Sequence, residues 1–348
     1  MAIVDLMRQT RLAAPVLAAA FAWPLPVAAE TAVHLKLDRK IDGPAAPFFV
    51  AIDRGYFKAE GLDVTIDATA ADPQDALKLL ATARYDLAVS DINRLIELRD
   101  QAGTGIKAVF VVFDKPPAAI IARRSRGIAA PGDLAGKTLG APPGEAGSAR
   151  WPIFAQTTGI DMAKVRVESI GLPVRDPMLA SGEVDSVTGS AFTTYVDLKE
   201  RGVPQDDLVV WQMADYGVEL YGDAIMASEN FMAEKPDAVR GFLRAYVKAL
   251  QETVRDPAGA IDSVLRRSDG AKKDAELERL RMAIADNIVT PAVRTGGFGA
   301  IDPARFAAAL DQLALTYRFQ AKNKAIEGFD PSFLPPAAER SISNSASR

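Results

Sequence analysis

Residues 80–91 (LATARYDLAVSD) and residues 179–190 (LASGEVDSVTGS) have the same outline, although about a hundred residues separate them. Each opens with Leu-Ala and a hydroxyl residue, reaches an aspartate after three further residues (Asp86, Asp185), and continues into a short apolar strand that stops at small polar residues. A helix followed by a short buried strand is the repeating element of α/β sheets. The repetition therefore predicts two α/β units of similar shape.

The segments around these two stretches alternate between strand and helix patterns. Strands are predicted at residues 34–38, 62–68, 86–91, 106–114, 138–143, 165–171, 185–190 and 207–213. Helices are predicted at residues 47–61, 72–83, 92–102, 148–159, 175–183 and 191–202, and the chain after residue 228 is mostly helical. In residues 236–256 an apolar stripe at helical spacing predicts a packing surface and not a binding site (Val239, Phe242, Leu243, Tyr246, Leu250). This rhythm predicts two open, mostly parallel sheets flanked by helices. In such sheets ligands gather where strands end, so the small polar residues mark the two walls of a pocket; ordinary loop chemistry is the alternative.

Composition excludes several classes of function. The chain has 348 residues, 49% of them hydrophobic, and a formal net charge of −4, so nothing points to nucleic acid or an acidic membrane surface. It has no cysteine, and His34 is the only histidine. A thiol nucleophile, a disulfide framework and a Cys/His zinc site are therefore excluded.

The N-terminus reads as an export signal. Arg8 and Arg11 precede an apolar run that ends in the small residues 27–29. These features predict a signal peptide over residues 1–29, cleaved near Ala29, and a mature protein free in the periplasm. A membrane anchor is the alternative, but the run is short and interrupted by prolines.

Two short motifs resemble nucleotide-binding loops, but the residues and elements around them exclude that function. Residues 135–138 (AGKT) lack the upstream glycine of a phosphate-binding loop and precede a strand. Residues 103–108 (GTGIKA) follow a helix and precede a strand, the reverse of a dinucleotide site. No loop has the alternating oxygen ligands of a metal site, so no cofactor and no metal are expected. Two aspartates that converge in the pocket would still make a catalytic pair, and that alternative stays open.

Residues 47–66 (PFFVAIDRGYFKAEGLDVTI) resemble the periplasmic solute-binding proteins of ABC importers, in the nitrate/sulfonate/taurine and thiamine-precursor-binding-like (NMT1/THI5-like) group. The matching positions are Ala51, Gly55, Tyr56, Phe57, Glu60, Gly61, Leu62 and Val64. Residues 133–142 (DLAGKTLGAP) and the two opening stretches resemble further segments of the group, with Ala83 in place of its usual glycine. Pro47 stands where histidine is common, which argues against a thiamine precursor.

The resemblance implies a type II-like periplasmic binding protein fold, with two lobes and a hinge between them. Residues 30–122 and 215–335 would form lobe I and residues 123–214 lobe II. The polar composition of residues 336–348 separately predicts a disordered tail.

The same resemblance implies that the protein captures a small organic solute in the cleft between the lobes and delivers it to a membrane permease and its ATPase. Closure would occur about crossings near Arg123 and near Asp215. A monomer that is not an enzyme is expected. Two alternatives remain: an exported ligand sensor for a membrane receptor, and an enzyme on the same fold of the thiamine-pyrimidine or menaquinone pathway type. The synthases of the group use an active-site histidine and a cysteine-rich motif, which this chain lacks.

By the topology of the group, the ligand-binding residues are Asp42, Phe48, Ser90, Asp91, Lys115, Gly144, Gly147, Ser148, Trp151, Thr188 and Tyr216. Residues 144–148 open a helix, and free backbone N–H groups there suit a carboxylate or sulfonate. Simple capping by Ser148 is the alternative.

Several of these residues have a second interpretation. Trp151 and Tyr216 would stack on a planar ligand, or would simply be buried in a core. Lys115 would bind the ligand, or would pair with Asp114 or contact solvent. Asp91 would cap the following helix, a role compatible with a place at the cleft. This mixture of acids, one lysine and aromatic rings suits a small polar or heteroaromatic solute better than an inorganic anion.

Overall fold

The structure, a computed structural model, describes residues 29–68, 75–321 and 326–342. The predicted signal peptide, except for its last residue, lies outside the described residues, as does the predicted start of a helix at residues 72–74. Within the described ranges, no helix combines the length and the apolar character needed to cross a membrane.

The strands in chain order are β1 (Thr31–Leu37), β2 (Leu62–Ala68), β3 (Leu87–Asp91), β4 (Lys107–Val111), β5 (Ala118–Arg123), β6 (Thr138–Ala141), β7 (Arg166–Ser169), β8 (Ser186–Ser190), β9 (Leu208–Gln212) and β10 (Asp223–Ala227). The α-helices are α1 (Ala46–Asp53), α2 (Tyr56–Ala59), α3 (Asp75–Ala81), α4 (Ile92–Ala102), α5 (Ala146–Thr158), α6 (Leu172–Ser181), α7 (Thr193–Glu200), α8 (Glu229–Glu234), α9 (Pro236–Arg255), α10 (Pro257–Leu265), α11 (Lys273–Ala283), α12 (Pro291–Gly296) and α13 (Pro303–Leu313).

Two five-stranded sheets organise the molecule. The first has the order β2-β1-β3-β10-β4 and the second the order β7-β6-β8-β5-β9. In each sheet four strands run in one direction and the strand fourth in this order runs against them, β10 in the first and β5 in the second. The predicted α/β class with two mostly parallel sheets is confirmed. We call the parts built on these sheets the first lobe and the second lobe.

The repeated sequence outline corresponds to a repeated arrangement of hydrogen bonds. Asp86 precedes β3, and its carboxylate accepts a hydrogen bond from the backbone N–H of His34 on β1 at 2.8 Å. Asp185 precedes β8, and its carboxylate accepts one from the N–H of Thr138 on β6 at 2.9 Å. The backbone N–H of each aspartate donates to the carbonyl of the same partner residue at 3.0 Å. Each aspartate thus fixes the start of a central strand against its neighbour.

The chain crosses between the lobes earlier than predicted. Strand β5 pairs with β8 and β9 and so belongs to the second sheet. The predicted boundary between residues 122 and 123 is therefore wrong, because the first crossing spans residues 112–117. The apolar run of β5 looks like any buried strand, and only its pairing partners decide its lobe. The second crossing, residues 213–222, contains the position predicted near Asp215.

The core of the first lobe forms between its sheet and a layer of helices. Helix α9 presents the predicted apolar stripe, which is at most 1% exposed (Val239, Phe242, Leu243, Tyr246, Leu250). The ring of Phe242 stacks on Phe57 of α2, with centroids 4.7 Å apart. This stripe is a packing surface, as predicted.

The predicted disordered tail is partly wrong. Residues 336–342 lie on the first lobe, and Arg340 is only 7% exposed. Its guanidinium donates to the carbonyl of Phe298, whose N–H donates back to the Arg340 carbonyl at 2.9 Å. The Gln251 side chain donates to two further carbonyls of the segment. These backbone hydrogen bonds order a polar segment that composition alone assigns to disorder. Residues 343–348 lie outside the described residues.

Candidate functional site

A cleft of about 630 Å³ lies between the two sheets. In the first lobe, the cleft is lined by residues that follow β1 and β3 and by the start of β10. Because β10 runs antiparallel to β3, its start lies at the same edge of the sheet as the end of β3. The second lobe lines it with the first turns of α5, α6 and α7. The carboxyl ends of both sets of parallel strands therefore face one space, as the repeated outline predicts.

The lining of the cleft is strongly charged. Its acidic residues are Asp38, Asp42, Asp91, Glu97, Glu145, Asp176, Asp197 and Asp223. Its basic residues are Arg39, Lys40, Lys78, Arg94, Arg150, Arg175 and Arg201. Apolar contact comes from leucine, proline and alanine, and the described lining includes no aromatic ring.

An ion pair joins the two lobes at the cleft. Asp91 ends β3, and its Oδ1 caps α4 by accepting from the backbone N–H of Asn93 at 2.8 Å. Its Oδ2 accepts a hydrogen bond from Nη2 of Arg150 on α5 at 2.5 Å. Arg150 is 2% exposed, and its Nη1 has no hydrogen-bond partner in the described part of the chain. Asp91 therefore serves both as a helix cap and as a residue of the cleft, as the sequence indicates.

On the wall of the first lobe, Arg39 lies among buried carboxylates. Arg39 forms ion pairs with Asp223 and, at 3.4 Å, with Asp38. Burial raises the pKa of Asp38, and the Arg39 charge opposes that shift. Asp42 is 3% exposed, and burial raises its pKa to about 6. Its Oδ1 has no hydrogen-bond partner among the described residues.

The start of α5 differs from the prediction. The Glu145 carboxylate accepts hydrogen bonds from the backbone N–H of Ser148 at 3.3 Å and from the Thr188 hydroxyl at 2.9 Å. The hydroxyls of Ser148 and Thr188 lie 2.7 Å apart and do not line the cleft. The protein's own carboxylate thus occupies the predicted anion site, so that prediction is wrong. Ser148 is also not the cap. Gly147 does not line the cleft either, and a Cβ there would lie 3.2 Å from the backbone nitrogen of Gly189.

Of the eleven predicted ligand-binding residues, the structure brings Asp42, Ser90, Asp91 and Gly144 together on the cleft lining. All four lie where a strand gives way to a loop or helix. Their positions follow from the topology of an open sheet.

The three predicted aromatic residues do not line the cleft. Phe48 is buried in the first lobe, with its ring centroid 4.4 Å from that of Tyr246. Trp151 is 3% exposed in a core cluster. Tyr216 packs edge-on against Phe154 at 5.5 Å. The interpretation as a core residue is confirmed for Trp151. Phe48, predicted only as a ligand-binding residue, is a core residue as well, since apolar packing places large rings inside.

Lys115 lies at the first crossing and not on the lining of the cleft. Its ammonium group pairs with Asp215 of the second crossing at 2.8 Å. The backbone of Lys115 exchanges hydrogen bonds with Asn287, whose side chain also donates to Gln212. Lys115 therefore ties the two crossings to each other and to the first lobe.

Sequence reasoning missed most of the charged residues of the cleft. Asp38 follows β1 directly, so its strand-end position was an available signal. Asp223 begins β10, a strand that the sequence analysis did not assign. Arg150 and Arg175 lie on helices, and no local pattern separates them from surface arginines.

The fold is that of a periplasmic binding protein. The structure is similar to the crystal structure of the periplasmic aliphatic sulphonate-binding protein SsuA from Escherichia coli, with a TM-score of 0.65. The two share 14% sequence identity over 89% of this chain and 91% of that chain. At this level of identity the similarity establishes the fold alone.

The sequence profile of the NMT1/THI5-like family matches residues 44–260, which is more than half of the chain. The protein belongs to this family, and the resemblance identified from residues 47–66 is confirmed.

Curated relatives include both binding proteins and enzymes. The riboflavin-binding protein RibY of Chloroflexus aurantiacus is 29% identical over 226 residues, and the formylaminopyrimidine-binding protein of Halalkalibacterium halodurans is 28% identical over 225. Each match covers 64% of this chain, but only 62% and 66% of the two relatives, less than two thirds of their length. The 4-amino-5-hydroxymethyl-2-methylpyrimidine phosphate synthase of Schizosaccharomyces pombe is 24% identical over 61% of this chain and 62% of the enzyme.

Proposed function

We propose that the protein is the substrate-binding component of an ABC-type uptake system. It captures a small organic solute in the cleft between its lobes and delivers the solute to a membrane permease with its ATPase. The observation that carries this proposal is the cleft itself, lined from both sheets and bridged by Asp91 and Arg150. The fold shared with an ABC sulfonate-binding protein supports it, as do two relatives named for solutes that they bind.

Size and lining favour a polar organic solute. A volume of about 630 Å³ lies within the range typical of small-molecule sites. Leucine and proline side chains offer apolar contact, while Asp42 and Arg150 keep polar atoms without a partner among the described residues. Buried polar atoms of this kind gain free energy when a ligand supplies the missing hydrogen bond.

Binding without chemical change agrees with the residues at hand. The chain has no cysteine, and His34 lies on β1 beside Asp86, outside the cleft lining. Five of the acidic residues in the cleft form ion pairs with arginines (Asp38, Asp91, Asp176, Asp197 and Asp223). A carboxylate that neutralises a neighbouring guanidinium is poorly placed to exchange protons with a substrate.

Transport follows from a change in the angle between the lobes. A solute that contacts both walls favours the closed arrangement, which a permease reads as the loaded form. Residues 112–117 and 213–222 are the segments that would bend. We place the mature protein in the periplasm as a monomer, in agreement with its predicted export signal.

A solute screen on the purified protein tests the proposal. Riboflavin, pyrimidines, sulfonates and carboxylates are scanned for a rise in melting temperature, and each solute that raises it is re-isolated and analysed by chromatography. We expect at least one solute to stabilise the protein and to be recovered unaltered. Arg150→Met should weaken its binding at least about tenfold, and Arg124→Met, an exposed arginine outside the cleft, should not. Recovery of a chemically changed solute would support an enzyme instead.

A further inference from the structure

Helix α7 of the second lobe packs against α11 of the first lobe beside the cleft. Asp197 of α7 lines the cleft itself, so this contact continues the wall of the candidate site. Arg279 of α11 is 2% exposed at the contact. Its guanidinium forms ion pairs with Asp197 and, at 3.3 Å, with Glu200 of α7. A buried charge of the first lobe is therefore paired with two carboxylates of the second.

The first lobe fixes the position of Arg279. Glu276, one turn earlier on α11, accepts a hydrogen bond from Nη1 of Arg279 at 2.5 Å. The other oxygen of Glu276 accepts one from the backbone N–H of Gly43 at 2.7 Å. Gly43 follows Asp42 of the cleft, and a Cβ on Gly43 would lie 2.0 Å from the Glu276 carbonyl oxygen, so this loop contacts α11 directly. Arg279 thus reaches the second lobe from a support that also holds the loop of Asp42.

Two further ion pairs cross the contact between α7 and α11. Lys199 of α7 pairs with Glu278 of α11 at 2.5 Å, and Lys272, which precedes α11, pairs with Glu200 of α7 at 2.9 Å. These side chains are partly exposed, and single pairs of this kind contribute little. Arg279 differs because it is buried, and separating a buried charge from its partners is costly. We call Arg279, its three carboxylate partners and these two pairs the α7–α11 network.

We propose that the α7–α11 network is a latch that biases the protein toward the arrangement in which the lobes are closed on each other. Opening the lobes would separate the ion pairs that join α7 to α11, while the Arg279–Glu276 pair would stay within the first lobe. The inference rests on the proposed function, since a solute that contacts both walls binds the closed arrangement. Its affinity scales with the fraction of closed molecules, so an about tenfold smaller fraction weakens binding about tenfold. Arg279 is thus a positioning residue, which acts on affinity without lining the cleft.

Distances between two spin labels on the solute-free protein test the proposal. The chain has no cysteine, so Lys58→Cys in the first lobe and Lys164→Cys in the second carry the labels, at exposed positions outside the cleft. Pulsed electron paramagnetic resonance measures the shares of short and long distances. We expect Arg279→Gln to reduce the share of the short, closed distance, and a bound solute from the screen to restore it. The dissociation constant of that solute should rise at least about fivefold.

Charge reversal distinguishes a latch from a loss of folding stability. Lys199→Glu and Glu278→Lys should each reduce the closed share, because two like charges then face each other across the contact. The double variant restores opposite charges and should restore the closed share, which a merely destabilised protein would not do. Glu168→Lys is the control, since Glu168 pairs at 3.4 Å with Arg166 of the same strand, β7. It should leave the distances unchanged.

Each outcome bears on one of the two proposals. If the charge reversals and Arg279→Gln all keep the distances of the unaltered protein, the latch is wrong, and the solute screen alone decides the function. If the single variants open but the double variant does not close again, the latch is also wrong. If Arg279→Gln does not fold, the charge reversals at the partly exposed Lys199 and Glu278 decide. If the distances change and recover as expected but no screened solute binds, the latch stands and the proposed function loses its support.

Discussion

Asp42 illustrates how the cleft sets the chemistry of a single residue. It is almost completely buried, and burial raises the pKa of its carboxyl to about 6 because the charged form loses its water. The nearby Arg39 charge opposes the shift but does not cancel it. A solute that donates a hydrogen bond to Asp42 would favour the ionised form and return this pKa toward its usual range.

This raised pKa makes stability depend on pH. The native state binds the proton more tightly than the unfolded chain, so the free energy of unfolding falls as pH rises from about 4 to about 6 and stays lower above that. The free energy of unfolding of Asp42→Asn should therefore exceed that of the unaltered protein by up to about 3 kcal/mol at pH 7.5. Below pH 4 the two values should be equal. Urea unfolding at several pH values measures the difference. Asp63→Asn, on an exposed position of β2, is the control.

A pH-independent difference between Asp42→Asn and the unaltered protein would contradict this account. It would mean that the side-chain amide acts through a hydrogen bond and that the carboxyl titrates in its ordinary range.

Arg305 of α13 joins the two crossings at the scale of structural elements. Its guanidinium donates to the Asp114 carboxylate at 2.9 Å and to the Asp114 carbonyl at 2.6 Å. It also donates to the carbonyls of Leu220 at 3.0 Å and Glu219 at 3.1 Å, and it lies 4.0 Å from the centre of the Tyr221 ring. One side chain of the first lobe thus holds both connections between the lobes.

Loss of Arg305 should destabilise the protein. Arg305→Met leaves Asp114, which is 6% exposed, without its cation and leaves several carbonyls without a donor. We expect the free energy of unfolding to fall by about 3 kcal/mol, measured by urea denaturation, because a broken buried ion pair costs more than a surface pair. Arg318→Met, at an exposed position beyond the same helix, should change it by less than about 0.5 kcal/mol. Equal stability of both variants would show that Arg305 does not hold the crossings.

The sequence predicts some elements well and others poorly, for physical reasons. The parallel strands and the apolar stripe of α9 have strong periodic patterns, and the structure confirms them. Strand β10 lies far along the chain from its neighbours β3 and β4, so no local pattern reveals its antiparallel place. The predicted helix over residues 47–61 is interrupted at Gly55, whose φ of 68° is left-handed. The hydrogen bonds of Arg340 order a tail that composition cannot distinguish from a disordered one.

At the scale of the whole molecule, ion pairs between described residues connect the lobes at two places. One is the Asp91–Arg150 pair at the cleft. The other joins α7 to α11, where Lys199 pairs with Glu278 at 2.5 Å. Residues of such pairs are 59 and 79 positions apart in the chain, so spacing does not reveal them. For the same reason, sequence reasoning predicted only the strand-end residues of the site.

The chain has no cysteine, so one introduced thiol can report on the cleft. Gln101 is exposed and lines the cleft at the end of α4. We expect a fluorophore on Gln101→Cys to change its emission on titration with a solute from the screen and to saturate at one solute per protein. The same fluorophore on Lys58→Cys, at α2 outside the cleft, should stay unchanged.

This titration tests most directly whether the space between the lobes holds the solute. A saturable signal at Gln101→Cys alone, lost when Arg150→Met is added, is the predicted result. Solute binding that leaves the emission at Gln101→Cys unaltered, or that changes it equally at Lys58→Cys, would contradict the account.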